Sequence, residues 1–212
     1  MKIALIGATG FIGSKLLDEA LARQHQVAAL VGHPEKLAAR ANLTVIGTDV
    51  LDQARLAEQL QGHDAVISAF SGHAQSNTYD YYVQGIQSII GATRQAGVAR
   101  LLVVGGAGSL EVAPGLQVLD PPDFPAQWKA TAEGARHALQ LLKQETELNW
   151  TMLSPSAMIM PGERSGKFRL GHDQLLVDDQ GQSRISVEDY AVAMLDELER
   201  PAHSRQRFTV GY

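Results

Sequence analysis

The sequence predicts an α/β domain: a doubly wound, mostly parallel sheet with helices on both faces and a small carboxyl-terminal cap. Three observations carry that expectation. Short apolar runs alternate with longer amphipathic stretches along most of the chain. The first run, Lys2–Ile6, passes through three glycines straight into a helical pattern. The length, 212 residues, can bury one sizeable core and reads as a single domain, with residues 162–212 adding the cap and a last helix and strand.

The glycine stretch is Gly7-Ala8-Thr9-Gly10-Phe11-Ile12-Gly13. Gly7 and Gly10 permit a sharp turn and a close approach of backbone to a ligand. Gly13 lets the helix lie against the strand. Free N–H groups in the first helical turn, with the helix dipole behind them, make an anion site suited to a pyrophosphate. The spacing is G-x-x-G-x-x-G, not the G-x-G-x-x-G of the standard dinucleotide fingerprint.

The elements follow in order. Ile12 to Arg23 reads as a helix with Ile12, Leu16, Leu17, Ala20 and Leu21 inward and Lys15, Asp18, Glu19 and Arg23 outward. Gln26–Val31 is a buried strand. Pro34 starts a short helix over Glu35–Ala41, and Leu43–Ile46 is the third strand. Asp52 caps a helix through Leu60. Asp64–Ala69 is the fourth strand, followed by the small and polar stretch Phe70–Thr78, where α/β ligand sites gather. Tyr79 to Ala96 is the longest helix, closed by Gly97. Leu101–Val104 is the fifth strand. Val112 to Pro125 holds four of the eight prolines, shows no periodicity and reads as a long loop, a lid over the substrate. Trp128–Lys143 is a helix and Asn149–Leu153 a strand. Lys167–Leu170 and Gln174–Val177 read as short strands, and Asp178–Gly181 as a turn. Ser186-Val187-Glu188-Asp189 is a capping box opening a helix to about Glu199, and Gln206–Gly211 is the last strand.

Composition narrows the function classes. Forty-five per cent hydrophobic and 19% charged residues are ordinary for a globular enzyme. A net charge of −5 with no basic block argues against a nucleic-acid surface. Without cysteine, thiolate catalysis, disulfides and cysteine–metal sites are excluded. The seven histidines form no H-x-x-x-H pair, so no metal site is expected. No run approaches the ~20 apolar residues of a membrane span, and the first apolar run is too short for a signal peptide. The expectation is a cytoplasmic protein, monomeric or homodimeric, with no membrane or nucleic-acid partner.

The strings KIALIGATGFIGSKL, HDAVISAFSG, LLVVGGAGSL, DFPAQWK, NWTMLSPSAMIMPGERSGKFRLG and ISVEDYAVAMLDELE together resemble the atypical short-chain dehydrogenases/reductases of the NmrA-like group. Within it, the chain is most similar to bacterial NADH–flavin reductase-type and biliverdin reductase B-like proteins. The resemblance covers the full length and implies a Rossmann-like NAD(P)-binding domain. It implies Gly7, Thr9, Gly10, Phe11, Ile12 and Gly13 at the diphosphate, and Asp49 and Val50 at the adenine. Ala69, Phe70, Ser71 and Gly105 fall toward the ribose and nicotinamide, and Pro155, Ser156 and Ala157 close the nicotinamide side. At the ribose end the tip after the second strand holds no acid to bind a 2′-hydroxyl and no arginine for a 2′-phosphate. His33, Lys36 and Arg40 are the positive charges at hand, so the balance tips toward NADP over NAD, with His33 at the ribose.

The departures from the family pattern discriminate chemically. None of Tyr79, Tyr81, Tyr82 and Tyr190 has a lysine four residues on, so the Tyr-x-x-x-Lys that serves alcohol oxidation is missing. Reduction of a flavin or quinone-like ring needs little acid–base help, because the acceptor's own electronics carry the reaction. The expected activity is therefore hydride transfer from NAD(P)H to a planar acceptor, with FMN or FAD as possible substrates. Phe11, Phe70, Trp128 and the Val112–Phe124 loop are candidates for the slot, and His73 lies near its mouth. Ser109, Tyr79 and Lys129 are the candidate proton relays. The alternative is a non-catalytic NAD(P)-binding redox sensor. A sugar epimerase or dehydratase is disfavoured by the missing Tyr-x-x-x-Lys and the short carboxyl-terminal region.

Overall fold

The computed structural model describes residues 1–212. Its centre is an eight-stranded sheet. The first three strands, β1 (Lys2–Ile6), β2 (Gln26–Val31) and β3 (Leu43–Gly47), run outward from the middle to one edge. On the other side of β1 come β4 (Ala65–Ser68), β5 (Arg100–Val104) and β8 (Asn149–Ser154), then β12 (Gln206–Gly211) and β10 (Arg169–Gly171). Every pairing is parallel except β10 with β12. The order reverses at β1, which pairs with β2 on one side and β4 on the other. The crevice beyond the carboxyl ends of those strands is where such sheets bind ligands.

Parallel strands buried on both faces need apolar residues on both, and these have them. Ile3 and Leu5 pack on one face, with α1 (Phe11–Ala22) and α5 (Val187–Glu199). Ala4 and Ile6 pack on the other, with α2 (Gln53–Leu60), α3 (Thr78–Gln95) and α4 (Ala126–Gln144). Alternation within β1 thus feeds two separate cores. Asp52 accepts from the Arg55 amide at the start of α2, and Gly97 turns out of α3 at φ +72°. No helix is long and apolar enough to cross a membrane.

Four details differ from the sequence reading. The helix expected over Glu35–Ala41 is a single 3₁₀ turn, Pro34–Lys36, with no buried residue to hold it longer. The proline-rich lid contains a small hairpin, β6 (Glu111–Ala113) and β7 (Leu116–Gln117). Gln174–Val177 is not a strand; Gln174 makes one bridge to Glu111 and so ties that segment to the lid. A parallel pair, β9 (Met158–Met160) and β11 (Arg184–Ser186), stands outside the main sheet and carried no sequence signal of its own.

Glu19, placed outward by periodicity, is buried. Its carboxylate takes two 2.7 Å bonds from Arg164 and one from Arg23. Arg164 above all, then Arg23, holds its pKa below the ordinary value against the cost of burial. Asp189 is likewise buried. It accepts from the Ser165 hydroxyl at 2.6 Å, the Gly166 amide at 2.8 Å and the Tyr212 hydroxyl at 2.8 Å. The Ser186 hydroxyl accepts from the Asp189 amide, but Asp189 spends its side chain on those contacts instead of closing a reciprocal box. At the opposite end of the sheet from the crevice, buried Arg100 meets buried Glu197 at 2.9 Å.

Candidate dinucleotide site

The site begins with β1 ending at the point where the sheet order reverses. Gly7 takes φ +83°, a conformation that disfavours any side chain, and its amide donates to the Leu30 carbonyl at 3.0 Å. A β-carbon on Gly13 would collide with the carbonyl group of Gly7, so α1 can start this close to β1 only with glycine there. At Gly10 a β-carbon would meet nothing nearer than the Gly7 oxygen at 3.4 Å, and its outer side is open.

Gly10 is the N-cap of α1, and it supplies no side-chain cap. The first turn holds no acid. The amides of Phe11, Ile12 and Gly13 have no acceptor within the protein; the first helical bond of this end is Ser14 N–H to the Gly10 carbonyl, 2.9 Å. Three uncompensated amides at the positive end of a twelve-residue helix, beside an open glycine, fit an anionic diphosphate. Thr9 lies in the same turn.

The second wall is the loop after β4. A β-carbon on Gly7 would stand 2.8 Å from the Ala69 carbonyl oxygen, so the two loops touch across the crevice. Ser71 is half-buried in this loop. Phe70 does not offer its ring to the slot: it is wedged against Gly85 on α3, edge-on to Tyr81 with centroids 5.2 Å apart. Gly105, after β5, bonds the Leu153 carbonyl at 2.8 Å, and a β-carbon there would press on Met152 at 2.8 Å.

At the adenine end Val50 is buried and Asp49 exposed. The Asp49 carboxylate accepts from the Leu51 amide at 3.0 Å, stabilising its own turn with one oxygen. Burial first, and then the Asp49 charge, raise the Tyr81 phenol above its ordinary pKa. His33 is exposed and sits 3.2 Å from Glu35; Arg40 pairs with Asp18 at 2.6 Å. Lys36 is exposed and has no carboxylate within ion-pair distance. At the far wall Pro155 and Ser156 are buried. The Ser156 hydroxyl donates to the Val210 carbonyl at 2.8 Å, while Ala157 stays exposed with its amide on the Ser183 hydroxyl.

A model for the family described as NAD(P)H-binding matches residues 7–198, which take in six of the eight strands of the sheet and every loop just described. The chain belongs to that NAD(P)H-binding family. Among its relatives is YwnB of Bacillus subtilis, a protein of uncharacterised activity, 39% identical over 99% of this chain and 98% of YwnB. A candidate epimerase from Bacteroides thetaiotaomicron is 46% identical with a TM-score of 0.93, covering 100% of this chain and 96% of its own. A candidate NADH-flavin reductase from Streptococcus pneumoniae is 34% identical with a TM-score of 0.87, covering 100% and 99%. The expected membership among atypical, NmrA-like short-chain reductases agrees with these neighbours, as does the Rossmann-like sheet.

The three candidate proton relays are not gathered at the crevice. Ser109 is buried, not at the mouth; its hydroxyl accepts from Arg207 at 3.2 Å. Tyr79 bonds His137 at 2.9 Å and lines a polar cleft of about 490 Å³ with Gln117, Asp120 and Arg136, on the side of α4 turned away from the sheet. Lys129 is exposed on α4 and makes no ion pair. Arg207 escaped the sequence reading. Its guanidinium, nearly inaccessible, reaches Ser109, Ser154 and the Asp173 carboxylate. An arginine beside the apolar Phe208 and Val210 of the strand Gln206–Gly211 was the available signal.

Proposed function

We propose that the chain is an NAD(P)H-dependent reductase whose second substrate is a flavin or a similar planar acceptor. One observation carries the reading: an uncapped helix end faces an open glycine at the switch point, while no side chain is aimed there as a strong acid or base. Phe11, Ile12 and Gly13 would hold the diphosphate through their amides, with Gly7 and Ala69 setting the floor. When bound, NAD(P)H supplies a hydride and its electron pair. The protein's part is to bind, orient and exclude water.

The missing Tyr-x-x-x-Lys and the internal partners of Ser109 and Tyr79 fit an acceptor that stabilises its own charge. They do not fit an alcohol, whose hydroxyl proton must be removed as hydride leaves. The same lack counts against epimerase chemistry of the kind suggested for the Bacteroides relative. NADP is favoured over NAD because exposed Lys36 makes no ion pair near the ribose end. Dependence on the cell's NAD(P)H pool would place the protein in the cytoplasm, as a monomer or homodimer.

The test is NADH and NADPH consumption with FMN, FAD or a quinone present. Turnover supports the reductase. Tight binding without turnover favours a dinucleotide-binding redox sensor, the second reading that relays engaged elsewhere would allow. Failure to bind either dinucleotide overturns both.

A further inference from the structure

One aromatic and one imidazole remain without a structural task at the open end of the sheet. Trp128, on the first turn of α4, is 55% exposed. A tryptophan left more than half in water at a helix end offers a large rigid face and a polar edge suited to an interface. One turn further, Thr131 meets His73 across 3.3 Å (Oγ1 to Nε2). Residues three apart share a helix face, so Trp128 and Thr131 present a common side. Lys129 lies about 100° round the helix from Trp128.

His73 belongs to the loop after β4, the strand that lines the crevice. Its position is fixed from behind. Gly72 takes φ +71°, and a β-carbon there would press on the Thr78 carbonyl at 2.7 Å and on Tyr82 at 2.9 Å. Asn77 then caps α3 by accepting from the Asp80 amide at 3.4 Å. His73 makes no other hydrogen bond, so the second ring nitrogen is free. The loop and the helix therefore bring a flat apolar surface and a donor–acceptor pair to one rim of the crevice, and nothing in the fold consumes either.

We propose that Trp128 and the His73–Thr131 pair form the recognition edge for the acceptor. The indole stacks on a planar fused ring, and the imidazole with its hydroxyl partner reads a carbonyl on the rim of that ring. The inference rests on the reductase reading and narrows the acceptor to ring systems bearing carbonyl groups, such as flavins and quinones. Planar dyes without a carbonyl would use the indole alone.

The experiment titrates riboflavin and methylene blue separately into NADP⁺-saturated protein, following each ligand's own optical signal. Trp128→Ala is expected to weaken both by about tenfold or more, as loss of one aromatic stacking partner does. His73→Ala and Thr131→Val are expected to weaken riboflavin several-fold and leave methylene blue unchanged. All three positions are partly or fully exposed, and melting temperatures verify that each variant is folded. Riboflavin binding unchanged in Trp128→Ala or His73→Ala overturns the inference, and so does wild-type protein that binds no riboflavin saturably. NADPH affinity measured in parallel separates the two levels. If it is intact in protein whose riboflavin binding ignores these substitutions, only the recognition edge falls. If wild type binds no NADPH, the reductase reading falls with it.

Discussion

Gly7 and Ala69 touch across the reversal point of the sheet: a β-carbon on the first would lie 2.8 Å from the carbonyl oxygen of the second. The contact joins the end of β1 to the end of β4 and leaves no room for a side chain on the floor of the crevice. The three glycines of the turn therefore carry different burdens, and substitutions should separate them.

Gly10→Leu should remove NADPH binding while the melting temperature moves little. The position has an ordinary φ, and only the Gly7 oxygen at 3.4 Å is near. Gly13→Ala should instead destabilise the fold by about 1–3 kcal/mol or more, because backbone must move to admit it. Denaturant unfolding beside NADPH titration checks both. Normal NADPH affinity in Gly10→Leu would remove the diphosphate site from this turn.

The proton relays give a prediction of magnitude. A true general acid contributes about 10²–10⁴-fold. Ser109→Ala, Tyr79→Phe and Lys129→Met should each keep kcat within about tenfold, since the first two are bonded internally and the third is solvated. A thousand-fold loss in any one would show that the acceptor depends on a protein proton after all.

Cofactor preference should respond at Lys36. Lys36→Glu should shift the ratio of NADPH to NADH affinity toward NADH by about two- to fivefold, the range of an exposed charge pair. Raising the salt concentration should shrink that difference. A ratio that does not move would put the ribose contact elsewhere.

Stability should fall in acid. Arg164 first, then Arg23, lowers the Glu19 pKa. Burial alone would raise Glu197, but hydrogen bonds from His203 and Ala202 outweigh it and lower the pKa. Carboxylates depressed in the folded state stabilise it fully above their unfolded value, about 4.3, and lose that contribution as pH falls through the lower folded values. Melting temperature should therefore drop steeply below about pH 4.3, and Glu19→Gln should flatten the slope. Glu197→Ala should cost about 3–5 kcal/mol at neutral pH, because buried Arg100 is left without its carboxylate. An Arg100→Met, Glu197→Leu double variant should recover much of it.

The sheet was legible because its signals are local. Lys2–Ile6 and Gln26–Val31 are apolar runs with the observed limits, Gln206–Gly211 also keeps its expected bounds, and Asp52 starts one helix and Gly97 closes another by their own chemistry. What sequence could not show depends on partners far along the chain. Glu19 looked solvent-facing until Arg164, 145 residues away, reached it. Ser109 looked free until Arg207 did the same. Phe70 sat in the right loop, but the space beside Gly85 drew its ring away. The glycine turn was readable because the site proposed there is built of backbone amides, whereas the relay candidates depend on side-chain directions that no spacing records.

In chain order β12 comes last, yet it lies between β8 and β10, both made earlier. During synthesis the edge of β8 must wait, unpaired, for more than fifty residues before Gln206–Gly211 slides into the gap. Closure of the sheet is thus a late, non-local event. A chaperone that shields the β8 edge, or a substitution that slows the insertion of β12, would change the yield of soluble protein without altering a single contact of the finished molecule.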